Sequence, residues 1–239
     1  MKLALPIGMT LAFVMGLIVS THAQKVQNID VKDFDKIRIS SSYTVVLKQG
    51  NQPGVVISGS EKELEDVIIE NNGSTLILRR SNSWKFRNWF NTEGVTATVT
   101  YTHLESIKAS GASSVRAEHI LEGEHFSLEV SGASDLDVEV DVGDLTCSSS
   151  GASDIKLFGQ AGNVRINCSG ASEVKAKSFR ARSADIDCSG ASTVHLGVDE
   201  MLDANASGAS DIYIYGSPRV RQSRSSGASD IHFRDKDTR

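Results

Sequence analysis

The chain has 239 residues, 39% of them hydrophobic and only 6% aromatic, with a net charge of −5 at neutral pH. That supplies enough apolar material for a mid-sized core or a solenoid. Mild acidity without basic clusters argues against nucleic acid and anionic membrane as partners.

Residues 1–23 stand apart from the rest. Lys2 precedes an apolar run from Leu3 to Val19, and Thr21-His22-Ala23 offers a small residue before Gln24. This is the pattern of a secretory signal peptide, too short and wrongly flanked for a committed membrane span. The mature protein is expected to be exported, to the periplasm, the outer-membrane surface or the extracellular space, with no integral span. No cysteine follows the apolar run, so a lipid anchor on a mature N-terminus is not expected.

From Gln24 to His103 short apolar alternations predict strands: Ile37 and Ile39, Val45 and Leu47, Leu76 and Leu78, then Val95, Ala97, Val99 and Tyr101. Ser60-Glu61-Lys62-Glu63 resembles a capping box and predicts one short helix over Leu64–Ile68. Residues 81–94 form an aromatic loop in which Trp84, Phe86, Trp89 and Phe90 crowd together with Lys85 and Arg87. Such a loop either folds over the apolar end of the domain or serves as a contact for sugar rings, another subunit or a surface.

Residues 104–239 carry the dominant signal, the tetrapeptide Ser-Gly-Ala-Ser repeated seven times. Its glycines are Gly111, Gly132, Gly151, Gly170, Gly190, Gly208 and Gly227, spaced 21, 19, 19, 20, 18 and 19 residues apart. A fixed period near twenty marks stacked repeats. Four and six residues after each glycine the chain is apolar, as in Leu136 and Val138 or Ile155 and Leu157, with a polar or aromatic residue between. Four and two residues before it stand apolar or small residues, as in Leu128 and Val130. Each unit therefore reads as strand, tight glycine turn, strand, then a second turn whose variable length absorbs the drift in period. A single such unit cannot bury its apolar face, so units must stack. The predicted fold is all-β, a right-handed parallel β-helix, with residues 24–103 beginning the solenoid and covering its open end in one continuous domain.

Three groups of residues carry candidate chemistry. Cys147, Cys168 and Cys188 share inward columns, where a small buried filler is favoured over a disulfide between Cys168 and Cys188; their spacing does not suit zinc. Three residues after the glycine runs an acidic column with Asp135, Asp154, Asp211 and Asp230. Its carboxylates are expected to cap the turns, with calcium a weaker alternative. Outward, Lys156, Lys175, His195, Tyr213 and His232 form a column that could contact a ligand, or hold an acid and a base beside a sugar.

With the tetrapeptides, Phe34-Asp35-Lys36-Ile37 and the run from Tyr101-Thr102-His103-Leu104 into Ser110-Gly111-Ala112 in view, the chain resembles the exported bacterial DUF2807 family. These proteins are described as auto-transporter adhesins with a head GIN domain and are common in the Bacteroidetes. The resemblance covers nearly all of the mature chain. It implies a pectin-lyase-like β-helix without the catalytic residues of the shape-related enzymes, and a role in adhesion. Nothing after Ile231 reads as a translocator barrel.

The expected function is thus an exported, non-catalytic envelope adhesion or binding module without a cofactor, whose partner is a polysaccharide or a surface protein. Self-association through the last rung is open. The alternatives are a polysaccharide-active enzyme on the same fold and a structural envelope protein with no dedicated ligand.

Overall fold

A computed structural model describes residues 24–81 and 94–235. The expected signal peptide and the aromatic residues Trp84, Phe86, Trp89 and Phe90 lie outside the described residues.

The region before the repeats supplies β1 (Lys25–Ile29), β2 (Lys36–Ser41), β3 (Tyr43–Gln49), β4 (Gly54–Gly59), β5 (Val67–Asn72), β6 (Thr75–Arg80) and β7 (Val95–Tyr101). The repeats supply β8 (Ser106–Gly111), β9 (Ser114–Ala117), β10 (Leu121–Val130), β11 (Asp135–Ser149) and β12 (Asp154–Cys168). They continue with β13 (Glu173–Cys188), β14 (Thr193–Gly208), β15 (Asp211–Tyr215), β16 (Arg219–Gly227) and β17 (Asp230–Arg234).

Successive repeats pair in parallel, so two ladders leave the tetrapeptide corner. Before the corner the order is β2, β8, β10, β11, β12, β13, β14, β16. After it the order is β3, β9, β11, β12, β13, β14, β15, β17. The result is a β-solenoid of about 7 turns with rungs about 19 residues apart.

The alternation read from the sequence is the alternation of burial. Ile107, Leu128, Cys147, Ile166, Ile186 and Ala204 line one buried column, and Val115, Leu136, Ile155, Val174, Val194 and Ile212 another. Like residues stacked one strand spacing apart keep the core dry along its length. The second turn of each unit is largely absent, because β11, β12, β13 and β14 run unbroken from one corner to the next. From Gly151 to Gly208 the drift in period is absorbed within them, by register shifts between Lys156 and Gln160 and between Ala176 and Ser183, and the longer first spacing is taken up between β9 and β10.

The solenoid starts before the first tetrapeptide. Ser41 pairs with Gly111 and itself has φ of 90°, the left-handed conformation that glycine adopts in every later rung. The tripeptide Ser40-Ser41-Ser42 is therefore an eighth corner written without glycine. Beyond it the pairing changes character. β6 and β7 lie parallel to β2 and β3, but β5 pairs antiparallel with β6, and β4 antiparallel with β7 and β1.

The short helix is α1 (Glu61–Leu64), earlier and shorter than the sequence suggested. Ser60 N–H donates to Glu63 Oε2 at 3.3 Å, the reciprocal half of a capping box, and Ser60 Oγ donates to the same oxygen at 3.0 Å. Ile68 belongs to β5, where antiparallel pairing with Arg79 outweighs local helix preference.

At the other end the last rung changes composition. Ser223 and Ser225 stand where earlier rungs bury apolar or small residues, and both are exposed. Phe233 and Val220 are 47% and 42% exposed. Serine in inward positions suits a rung with no further rung above it among the described residues.

Candidate functional site

The corners set the geometry of everything beside them. Gly111, Gly132, Gly151, Gly170, Gly190, Gly208 and Gly227 all have φ of 75–88°. The alanine N–H after each of the last six donates to the carbonyl of the preceding corner's glycine at 2.7 Å. The turn itself is closed by the motif's final serine. Ser113, Ser153, Ser172, Ser192, Ser210 and Ser229 are buried, and each donates from Oγ to the carbonyl three residues earlier at 2.8–3.1 Å. Sequence reasoning gave this capping role to the acidic column. The serine two residues after the glycine points inward and reaches the turn carbonyl, whereas the acid one residue later points outward.

The outward column divides by chemistry. Lys156 is exposed. Lys175 Nζ lies 3.0 Å from Glu173 and 3.1 Å from Asp154, and those bonds, Glu173 first, hold its ammonium above the usual lysine range. Thus one member of the acid pair Asp135–Asp154, Cα partners on β11 and β12, is already bonded to a lysine. His195, Tyr213 and His232 stack ring on ring, with centroids 4.6 Å apart at each step and interplanar angles of 6° and 18°. His195 Nδ1 also lies 3.1 Å from Tyr215 Oη. Rings stacked along the axis cover one another's faces, so the column presents ring edges rather than the flat platform a sugar ring would lie on.

The three cysteines are free and buried. Burial pushes the Cys147 thiol up to about 12. Cys188 is raised as well, first by its hydrogen bond with Cys168 and then by burial.

The surface that sequence reasoning passed over runs alongside the corners, on the outer face of the strands that lead into them. A groove of about 990 Å³ extends from Glu129 to Arg224 across successive rungs. One wall is the first serine of each motif, Ser150, Ser169, Ser189, Ser207 and Ser226. The other is the column Ser148, Asn167, Asp187 and Asn205. Between the walls lies the backbone of residues whose side chains point inward, such as Cys168 and Cys188. Asn205 Nδ2 donates to Asp187 Oδ1 at 2.9 Å, so part of the wall is already a bonded ladder. The legible signal was the small polar residue three places before four of the seven glycines, at Ser148, Asn167, Asp187 and Asn205.

A second groove of about 980 Å³ lies further from the corners on the same face. Its side chains pair with one another across rungs: His125 with Asp144 at 3.0 Å, Arg165 with Asp185 at 3.3 Å, Arg221 with Asp203 at 3.1 Å. The corner groove holds fewer such pairs and more hydroxyl and amide groups.

The family whose description reads "Putative auto-transporter adhesin, head GIN domain", DUF2807, matches residues 33–218. The chain belongs to DUF2807. The match takes in Ser41 and all the tetrapeptides but the last. Among solved structures, a "putative adhesin" from Bacteroides fragilis NCTC 9343 shares 23% identity and superposes with a TM-score of 0.81, over 90% of this chain and 98% of that one. Another "putative adhesin", from Parabacteroides merdae ATCC 43184, gives 18% identity and 0.70, over 88% and 96%. A "putative lipid binding protein" from Parabacteroides distasonis ATCC 8503 gives 17% and 0.66, over 88% and 96%. These likenesses establish a shared fold. No curated protein matches the chain. The DUF2807 assignment supports a role in adhesion or binding, and no helix of the described residues is long and apolar enough to cross a membrane.

Proposed function

We propose that this DUF2807 protein is an exported, non-catalytic adhesion module of the cell envelope that holds an extended polysaccharide along the corner groove. The observation that carries the reading is the lining of that groove, where hydroxyl, amide and carboxylate groups recur rung after rung on a rigid ladder. Groups repeated at about 4.8 Å offer a polymer many weak hydrogen bonds in register, which suits multivalent attachment better than capture of one small molecule.

The aromatic segment has a place in this reading. Leu78 pairs with Ile39, and Val95 with Tyr43, so β6 and β7 lie beside the two strands that flank the Ser41 corner. Trp84, Phe86, Trp89 and Phe90 stand between those two strands in the sequence, and in this reading their ring faces supplement the groove's hydrogen bonds.

The test is retention on a panel of neutral and acidic polysaccharides, with newly formed sugar ends measured in the same samples. Retention without new ends is expected, lost in the double variant Asn167→Lys, Ser169→Lys and weakened in Trp84→Ala, Trp89→Ala. Both groove positions are exposed, so folding should be unaffected. Unchanged retention in the groove variant removes the groove from the reading. New ends would make the protein an enzyme, and no retention at all would turn the search to surface proteins or a purely structural role.

A further inference from the structure

The acidic column after the corners contains two kinds of pair. In one, Asp154 and Glu173 stand on adjacent rungs and Lys175 lies between them, 3.1 and 3.0 Å from the two carboxylates. Counted from the corner glycine, Asp211, Asp230 and His232 fill the same three places in the last two rungs. Asp211 and Asp230 are Cα partners there, and one ligand atom from each of Asp211, Asp230 and His232 lies within 4.8 Å of the others. Among the described residues, neither aspartate has the bridging lysine that Asp154 and Glu173 share.

Two carboxylates one strand spacing apart repel, and a lysine between them offsets that repulsion with a permanent charge. Replacing the lysine by histidine changes what can fill the gap. A neutral imidazole contributes a lone pair instead of a charge, and one nitrogen with two carboxylate oxygens is a donor set for a borderline transition ion. The imidazole is also held in place. Its ring stacks on Tyr213 at 4.6 Å, which in turn stacks on His195, so its orientation is set before any ion arrives.

We infer that Asp211, Asp230 and His232 form a binding site for a divalent first-row metal ion of the zinc class, at the C-terminal end of the solenoid. Three protein donors leave a fourth tetrahedral position for water or for a group on a partner. Calcium fits less well, because it takes six to eight oxygens and has little use for imidazole. The inference is independent of the corner groove, which lies on the other side of the tetrapeptide.

The purified protein is titrated with zinc chloride and, separately, calcium chloride by calorimetry, with melting temperature followed in parallel. One saturable zinc site that raises the melting temperature is expected. His232→Lys, which rebuilds the arrangement seen at Lys175, should keep the fold and weaken zinc binding by about 100-fold or more; Asp230→Asn should weaken it as well. Absence of a saturable zinc site overturns the inference. So does zinc binding that survives in His232→Lys, which would place the ion elsewhere. Calcium binding equal to zinc and retained in His232→Lys overturns it too, since carboxylates alone would then be sufficient.

Discussion

Ala152 N–H donates to the carbonyl oxygen of Gly132 at 2.7 Å, from one corner to the corner before it. That bond brings the backbones so close that a Cβ on Gly151 would lie 2.5 Å from the same carbonyl oxygen, at a φ of +79°. Gly151→Ala should therefore be costly twice over. The left-handed conformation alone costs about 1–2 kcal/mol, and the clash with rigid backbone adds to it. Gly73, at φ +60° in the turn between β5 and β6, has nothing within 4 Å of an added Cβ. Gly73→Ala should show the conformational cost only. Urea unfolding of the two variants checks this, and equal losses would mean that close stacking is not what selects glycine at the corners.

Ser41 gives the converse case. It holds the same left-handed backbone with a Cβ in place, and its carbonyl accepts from Ala112 N at 3.3 Å and Ser113 Oγ at 2.9 Å. Ser41→Gly removes the conformational strain and leaves those backbone bonds intact. After the extra chain entropy of glycine, a gain of about 0.5–1 kcal/mol is expected. Loss of stability would show that the Ser41 side chain supports this first corner.

The thiols should be silent. Thiolate is the reactive form, and burial pushes Cys147 up to about 12 while Cys168 and Cys188 are free and buried beside each other. At pH 8 a disulfide-exchange reagent should modify none of the three in the native protein and all three in denaturant. Two missing thiols in denaturant would mean that Cys168 and Cys188 are bonded.

The repeat was legible because its information is local and recurs: a glycine forced by backbone contact, flanked by alternating apolar residues such as Leu136 and Val138. The Ser41 corner was not, because it carries serine at the left-handed position where every later corner has glycine. The capping role of Ser113 and its successors was misassigned to the acids, since parity along the strand decides which side chain reaches the turn carbonyl. The groove was missed for a related reason. Ser148, Asn167, Asp187 and Asn205 read individually as ordinary solvent-facing residues, and only stacking joins them into one wall. The pair of rungs ending at His232 likewise gains meaning from comparison with Lys175 across the repeat.

His195 should make stability pH-dependent. Burial lowers its pKa below the usual 6.5, Lys175 and Lys177 press in the same direction, and Glu173 opposes them. Its ring also stacks on Tyr213 and bonds to Tyr215 Oη, contacts made by a half-buried imidazole. With a folded pKa below the unfolded value, the unfolded chain binds more protons in the interval between them. The stabilisation is therefore complete above about pH 6.5 and is lost as pH falls through that value toward the folded one. Melting temperature should decline between pH 7.5 and 5.5, and His195→Gln should decline less, because an amide keeps polar contact without titrating. Parallel slopes for the two proteins would show that this imidazole does not govern the acid side of the stability curve.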